Sequence, residues 1–261
     1  MPVRDTAWPA GTPCWVDYTA TDVPAAQKFY GALLGWSFTE GQPEFGGYLT
    51  CLAEDRAAAG MMQRMDPADP PAWTTYFATD DADATAAAIV GAGGTTVAGP
   101  MDVGPLGRML VALDPQGEVF GAWQAGLQTG LQVYNQPGAL TWTEQAVADP
   151  TVSRAFYGAV FGFAFQDVPD GSGPDSGSAG GGGYTTFDRE PAGTEPLGGI
   201  TTHQPGRPQG WAPYFSVASM DDAVATVEQA GGTVLIAPLD TPHGRMAVVA
   251  DPWGAAFWLR G

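Results

Sequence analysis

The chain has 261 residues and a formal charge of −18, with Lys28 and nine arginines as its fixed cations. A field of that sign repels phosphate backbones and excludes nucleic acid as an expected partner, and no run of about 18 apolar residues exists to span a membrane. The first residues, Met-Pro-Val-Arg-Asp-Thr-Ala-Trp, hold no apolar signal core and read as the start of a cytoplasmic protein, and two cysteines, Cys14 and Cys51, are too few for a disulfide framework.

Residues 1–11 read as a loose lead. A strand is predicted over Pro13–Ala20, with Trp15, Asp17 and Thr19 on one face and Val16 and Tyr18 on the other. Cys14 then points away from the Trp15 face and reads as a core thiol with no chemistry. Asp22 is the expected N-cap of a helix with Pro24 in its first turn, burying Ala26, Phe29, Tyr30 and Leu33, and Gly35 ends it. Short strands follow near Ser37–Thr39, Gly47–Ala53 and Ala58–Arg64. After the proline-rich stretch Asp66–Pro71, a second unit opens with a strand at Trp73–Thr79 and a helix at Asp81–Gly91. Strands near Thr95–Ala98, Arg108–Leu113 and Glu118–Gln124 complete it, the last two joined by the turn Asp114-Pro115-Gln116-Gly117.

The pattern then repeats. Trp142, Asp149 and Phe156 stand 127 residues after Trp15, Asp22 and Phe29. Later, Gly244-Arg245-Met246 matches Gly107-Arg108-Met109, and Asp251-Pro252-Trp253-Gly254 matches the first Asp-Pro turn. The difference in spacing falls mostly in the Gly/Ser-rich run Pro169–Gly183, which is either a lid over a pocket or a neutral insertion. The expected organisation is a domain over 12–125, a linker over 126–138 and a second domain over 139–261. The fold class is α+β, with two strand-helix-strands units per domain forming a curled antiparallel sheet around a cleft.

These residues resemble the vicinal oxygen chelate superfamily, which includes glyoxalase I, extradiol dioxygenases and the fosfomycin- and bleomycin-resistance proteins. The resemblance covers residues 12–124 and 139–260. More narrowly, the tandem form with Trp-Val-Asp, Trp-Thr-Glu and Gly-Arg-Met is similar to an actinobacterial group labelled glyoxalase-like or hydroxylase. The resemblance implies paired βαβββ units and, in metal-dependent members, His, Gln or Glu ligands on the first and last strands of the units. At those places this chain has Trp15, Thr74 and Gly121, then Trp142, Ala212 and Trp258. Indole and methyl groups are not donors for divalent ions, so no metal and no other cofactor is expected.

By strand parity, Asp17 and Glu144 stand beside Trp15 and Trp142 on the cleft faces. Domain one then presents Trp15, Asp17, Tyr76 and Trp123, with Gly121 leaving room; domain two presents Trp142, Glu144, Tyr214 and Trp258. His203 reads as a solvated loop residue, and His243 is expected near the mouth of the second cleft. Two readings follow. One is a metal-free binder of a small, largely apolar or aromatic molecule, held by the six aromatic residues and His243 for sequestration, self-resistance or secondary metabolism. The other is an acid-base enzyme, an isomerase, lyase or cyclase, with Asp17 or Glu144 as the catalytic proton-transfer group. A metal enzyme using those two acids as unconventional ligands is a third. Against catalysis, either acid has a ready ion-pair partner in Arg108 or Arg245. The chain is a monomer or a homodimer on this reading, with a small molecule as its partner.

Overall fold

Local chemistry sets the first unit. Strand β1 (Pro13–Ala20) leads into helix α1 (Val23–Leu34) through Asp22, whose side chain accepts the Ala25 N–H at 3.0 Å. Gly35 closes the helix in the left-handed region at φ 70°. The buried face of α1 is Ala26, Phe29, Tyr30, Leu33 and Leu34. Helix α3 (Pro150–Phe161) repeats the device with Asp149 as cap and Gly162 as stop.

The computed structural model describes residues 2–169, 183–189 and 196–261. In the first half, β2 (Ser37–Phe38), β3 (Leu49–Ala53), β4 (Arg56–Gln63), β5 (Ala72–Ala78), α2 (Ala82–Gly91), β6 (Thr95–Asp102), β7 (Gly107–Leu113) and β8 (Val119–Ala125) follow β1 and α1. In the second, β9 (Leu140–Val147) precedes α3. It is followed by β10 (Phe163–Val168), β11 (Tyr184–Arg189), β12 (Gly198–Thr202), β13 (Gly210–Ser216), α4 (Met220–Gln229), β14 (Thr233–Thr241), β15 (Gly244–Ala250) and β16 (Ala256–Arg260).

Each half is one eight-stranded sheet, in the order β2-β3-β4-β1-β5-β8-β7-β6 and β10-β11-β12-β9-β13-β16-β15-β14. The sheets are mixed, where antiparallel sheets were expected. Strand β1 runs antiparallel to β5 but parallel to β4, and β5 runs parallel to β8. The crossover through each helix, followed by a meander, returns the last strand of a unit beside its first in the same direction.

Two large apolar cores form, and each is shared between the halves. One packs Val16, Tyr18, Tyr30 and Trp36 against Phe215, Val249, Phe257 and Leu259. The other packs Phe77, Leu110 and Phe120 against Phe156, Tyr157, Phe163 and Trp211. The turn aspartates cross the same boundary. Asp251 Oδ1 accepts the N–H groups of Trp253 and Ala255, and Oδ2 accepts Tyr18 Oη at 2.5 Å and Tyr30 Oη at 2.9 Å. Asp114 does the same in reverse, with Gln145 Nε2 at 2.6 Å and Tyr157 Oη at 3.2 Å. Trp73 and Trp211 donate to Tyr30 and Tyr157 respectively.

The lead expected to be loose is tied down. Arg4 N–H donates to Gln132 O, Trp8 Nε1 donates to Leu131 O at 3.0 Å, and Val3 bridges Val133. Backbone hydrogen bonds and the burial of Leu131 and Val133 order both segments together. The insertion expected at Pro169–Gly183 lies, but for its two ends, outside the described residues.

Candidate functional site

Alternation along β1 sends Tyr18 to Asp251 of the other half and leaves Trp15 and Asp17 on the opposite face of the strand. Register then assembles a row on that face: Trp15 lies opposite Tyr76 on β5, and Tyr76 opposite Gly121 on β8. The second half repeats it with Trp142 opposite Tyr214 on β13 and Tyr214 opposite Trp258 on β16.

A buried carboxyl sits in each row. Burial pushes Asp17 up to about 7, opposed by a hydrogen bond from Tyr76. Burial likewise raises Glu144 to about 7, opposed by the Tyr214 hydroxyl, the Arg207 guanidinium and the Tyr184 hydroxyl. The tyrosines Tyr48, Tyr76, Tyr184 and Tyr214 are held well above the ordinary phenol range, first by burial and then by the neighbouring acid. All four are therefore neutral donors around pH 7.

Three members of these clusters were absent from the sequence-based set. Tyr48 accepts Trp15 Nε1–H at 2.8 Å, and Tyr184 accepts Trp142 Nε1–H at 3.0 Å. The clue is a short repeat, Gly46-Gly47-Tyr48-Leu49-Thr50 and Gly182-Gly183-Tyr184-Thr185-Thr186. Arg207, whose guanidinium carbon lies 5.4 Å from the Trp258 ring centroid, is the third addition.

The two clusters differ in packing. In the first, Gly121 leaves no room for a ligand, because the Tyr76 ring fills it and a Cβ there would collide with that ring. The second replaces Gly121 with Trp258, stacked on Tyr214 with ring centroids 4.8 Å apart and planes within 5°. Tyr214 and Trp258 pack with Ala212, Met246 and Val248, and Trp142 lies half-buried against this group. Here two polar atoms stand out. Glu144 Oε2 and Tyr214 Oη are buried without a hydrogen bond of good geometry, although the two side chains are neighbours.

Other expected members fall elsewhere. Trp123 lies two residues beyond Gly121, opposite Ala78, donates to Gln128 O at 2.9 Å, and lines a separate cavity of about 140 Å³ with Trp8 and Cys14. His243 is exposed on the β14–β15 turn, its backbone N–H on Thr241 Oγ1. His203 is half-buried rather than solvated, with Nε2 3.3 Å from Arg207 O. Arg108 pairs with Asp83 and Asp102, and Arg245 with Asp221, so the arginines once expected to neutralise the two buried acids are engaged by surface aspartates. Burial raises both thiols, Cys14 and Cys51, which suppresses thiolate chemistry.

With the geometry in place, likeness to known proteins is informative. The model of the Glyoxalase/Bleomycin resistance protein/Dioxygenase superfamily matches residues 139–259, and that of the Glyoxalase-like domain matches residues 14–122. CFP32 of Mycobacterium tuberculosis, which carries a provisional glyoxylase name, is 36% identical over 98% of this chain and 97% of its own. The chain belongs to the glyoxalase superfamily. The anthracycline biosynthesis protein DauV of Streptomyces sp. strain C5 is also 36% identical, over 97% of this chain and 94% of its own. Among solved structures, the Mn(II)-bound glyoxalase from Novosphingobium aromaticivorans has a TM-score of 0.64 at 12% identity, covering 96% of this chain and 81% of its own. The 2,3-dioxygenase LapB from Pseudomonas sp. KL28 has a TM-score of 0.64 at 14% identity, covering 98% and 93%. At such identities these two likenesses establish the fold.

A glyoxalase-superfamily metal does not fit the donor set of this member. The rows supply indoles, one carboxyl each and neutral phenols, which are poor ligands for a divalent ion. Among the described residues no three His, Cys, Asp or Glu side chains gather where they would hold one.

Proposed function

We propose that this glyoxalase-superfamily protein binds a small, flat, hydroxylated aromatic molecule on the outer face of the second sheet, without a metal. The observation that carries the reading is the buried pair Glu144 Oε2 and Tyr214 Oη, neighbours inside a cluster of aromatic rings whose mutual contact falls short of a well-formed hydrogen bond. A buried polar atom held this poorly forfeits up to about 1–3 kcal/mol. A ligand hydroxyl donating to Glu144 and a ligand carbonyl accepting from Tyr214 would recover that cost. Trp142, the half-buried rim of the cluster, supplies the face on which a ring stacks. The relative DauV is named for anthracycline biosynthesis, which makes a fused-ring aromatic polyketide the first ligand class to test. The reading requires neither nucleic acid nor membrane, and one chain carries the whole cluster. No helix among the described residues is long and apolar enough to cross a membrane.

The test is fluorescence titration of an anthracycline aglycone into the metal-stripped protein. Saturable binding is expected, weakened by roughly 5- to 150-fold in Glu144→Gln, which keeps the shape but loses the charge and turns one acceptor oxygen into a donor NH2. Unchanged affinity in that variant would sink the assignment of the site.

A second reading, an acid-base enzyme, is favoured by carboxyls placed to titrate near neutral pH in both halves. It predicts conversion of the bound molecule. Turnover lost with affinity retained in Asp17→Asn or Glu144→Gln supports it, and recovery of unaltered ligand after prolonged incubation overturns it.

A further inference from the structure

The two helix seams between the halves are related by the internal repeat, yet one is closed and the other open. In the closed seam, the Gln116 amide donates to Asp149 O at 3.0 Å and to Ser153 Oγ at 2.9 Å, while its Oε1 accepts the Asp149 N–H. Turn and helix α3 are thereby stitched together. At the matching places the open seam has Trp253 for Gln116 and Ala26 for Ser153. Those stitches cannot form. A cavity of about 480 Å³ results, lined by residues of α1, α4 and the Pro252–Trp253 turn.

Its chemistry is distinctive. Lys28, the chain's only lysine, lines the cavity, together with Trp253, Phe29, Thr226 and Gln229. The closed seam has Ala155, Ala88 and Gly91 where the open one has Lys28, Thr226 and Gln229. The lining therefore gains one cation and two hydrogen-bonding side chains. It contains no acid, in a chain with 28 Asp and Glu residues. The volume lies within the roughly 300–1,000 Å³ usual for small-molecule sites.

We infer that this open seam is a second small-molecule site, specific for a flat aromatic anion such as an aryl carboxylate. The ring lies against the Trp253 indole and the edge of Phe29, the carboxylate meets the Lys28 ammonium, and Gln229 adds a neutral donor. This site is independent of the Glu144 cluster and of the function proposed for it.

The experiment is titration of 2-naphthoate and its neutral isostere 2-naphthamide, followed by amide chemical shifts. Wild type is expected to bind naphthoate more tightly than naphthamide, with shifts gathered on α1, α4 and residues 252–254. Lys28→Gln, on an exposed side chain, should erase that preference and weaken naphthoate roughly three- to fivefold. The double variant Trp253→Gln with Ala26→Ser copies the closed seam and should abolish binding of both. Lys28→Gln tests the site even if the double variant fails to fold. Absence of saturable binding, shifts confined to β9 and β13, or a preference that survives Lys28→Gln overturns the inference.

Discussion

At the scale of single residues, the two buried acids govern both function and stability. Asp17 and Glu144 have folded-state values of about 7, above the ordinary 3.8 and 4.5. The folded state therefore binds more protons than the unfolded one between about pH 4 and pH 7. Their contribution is most favourable below about pH 4 and is lost as pH rises through 7. Asp17→Asn and Glu144→Gln stay neutral throughout. Each is expected to be more stable than wild type at pH 8 by roughly 2–4 kcal/mol, with the gain shrinking to nothing near pH 4. Urea denaturation across that range checks it, and a gain that grows on acidification would contradict the assignment. The acids themselves were legible in the sequence, because strand parity alone puts them beside the tryptophans. The tyrosines that hold them were only half legible. Tyr76 and Tyr214 follow from register, whereas Tyr48 and Tyr184 follow stretches of unequal sequence length and stand 136 residues apart, not 127. Landmarks on the helices cannot carry an alignment across such a difference in length.

At the scale of elements, the Asp17 face of the first sheet is filled by its own side chains, and β4 shows how closely. Gly60 lies on the parallel partner of β1, opposite Asp17. A Cβ at this position would collide with the Tyr48 hydroxyl and lie 3.1 Å from the Asp17 Cβ. Gly60→Ala must therefore expel Tyr48 from its place above the strand and break the bond from Trp15. A cost of about 1–3 kcal/mol is expected from overpacking, with a blue-to-red change in Trp15 emission as its indole N–H meets water. The same substitution at Gly35 meets nothing within 4 Å but is strained by its φ of 70°, so it separates a backbone effect from a packing one. Sequence patterns gave the helices, caps and hairpins nearly to the residue, since Asp22, Gly35, Asp149 and Gly162 act through local bonds. They overstated the clefts. Alternation reports which face a ring occupies, and it carries no information on whether a ligand or a neighbouring ring fills the space beyond.

At the scale of the molecule, the tandem repeat gives two glyoxalase-type domains, and their apolar cores are shared. Strand pairing stays within each half, but side-chain packing crosses between them, so each sheet needs the other to bury its inner face. The two aspartates of the Asp-Pro turns sit at the centre of this exchange. Asp251 is 2% exposed and accepts four hydrogen bonds, two from its own turn and two from tyrosines of the other half. Its replacement by Ala leaves two backbone N–H groups and two phenols without their acceptor in a buried interface. A loss of roughly 3–5 kcal/mol is expected. Asp114→Ala, at the matching place, should cost a similar amount, because Gln145 and Tyr157 depend on it as Tyr18 and Tyr30 depend on Asp251. If the halves are one cooperative unit, both variants shift a single transition, and near- and far-ultraviolet circular dichroism move together. If they are separable, each variant leaves half of the signal at the wild-type midpoint. A fragment ending near residue 130 sharpens the distinction: it retains every strand of the first sheet, loses the residues that cover Tyr18, Tyr30 and Phe77, and is expected to be unfolded or aggregated rather than a stable single domain.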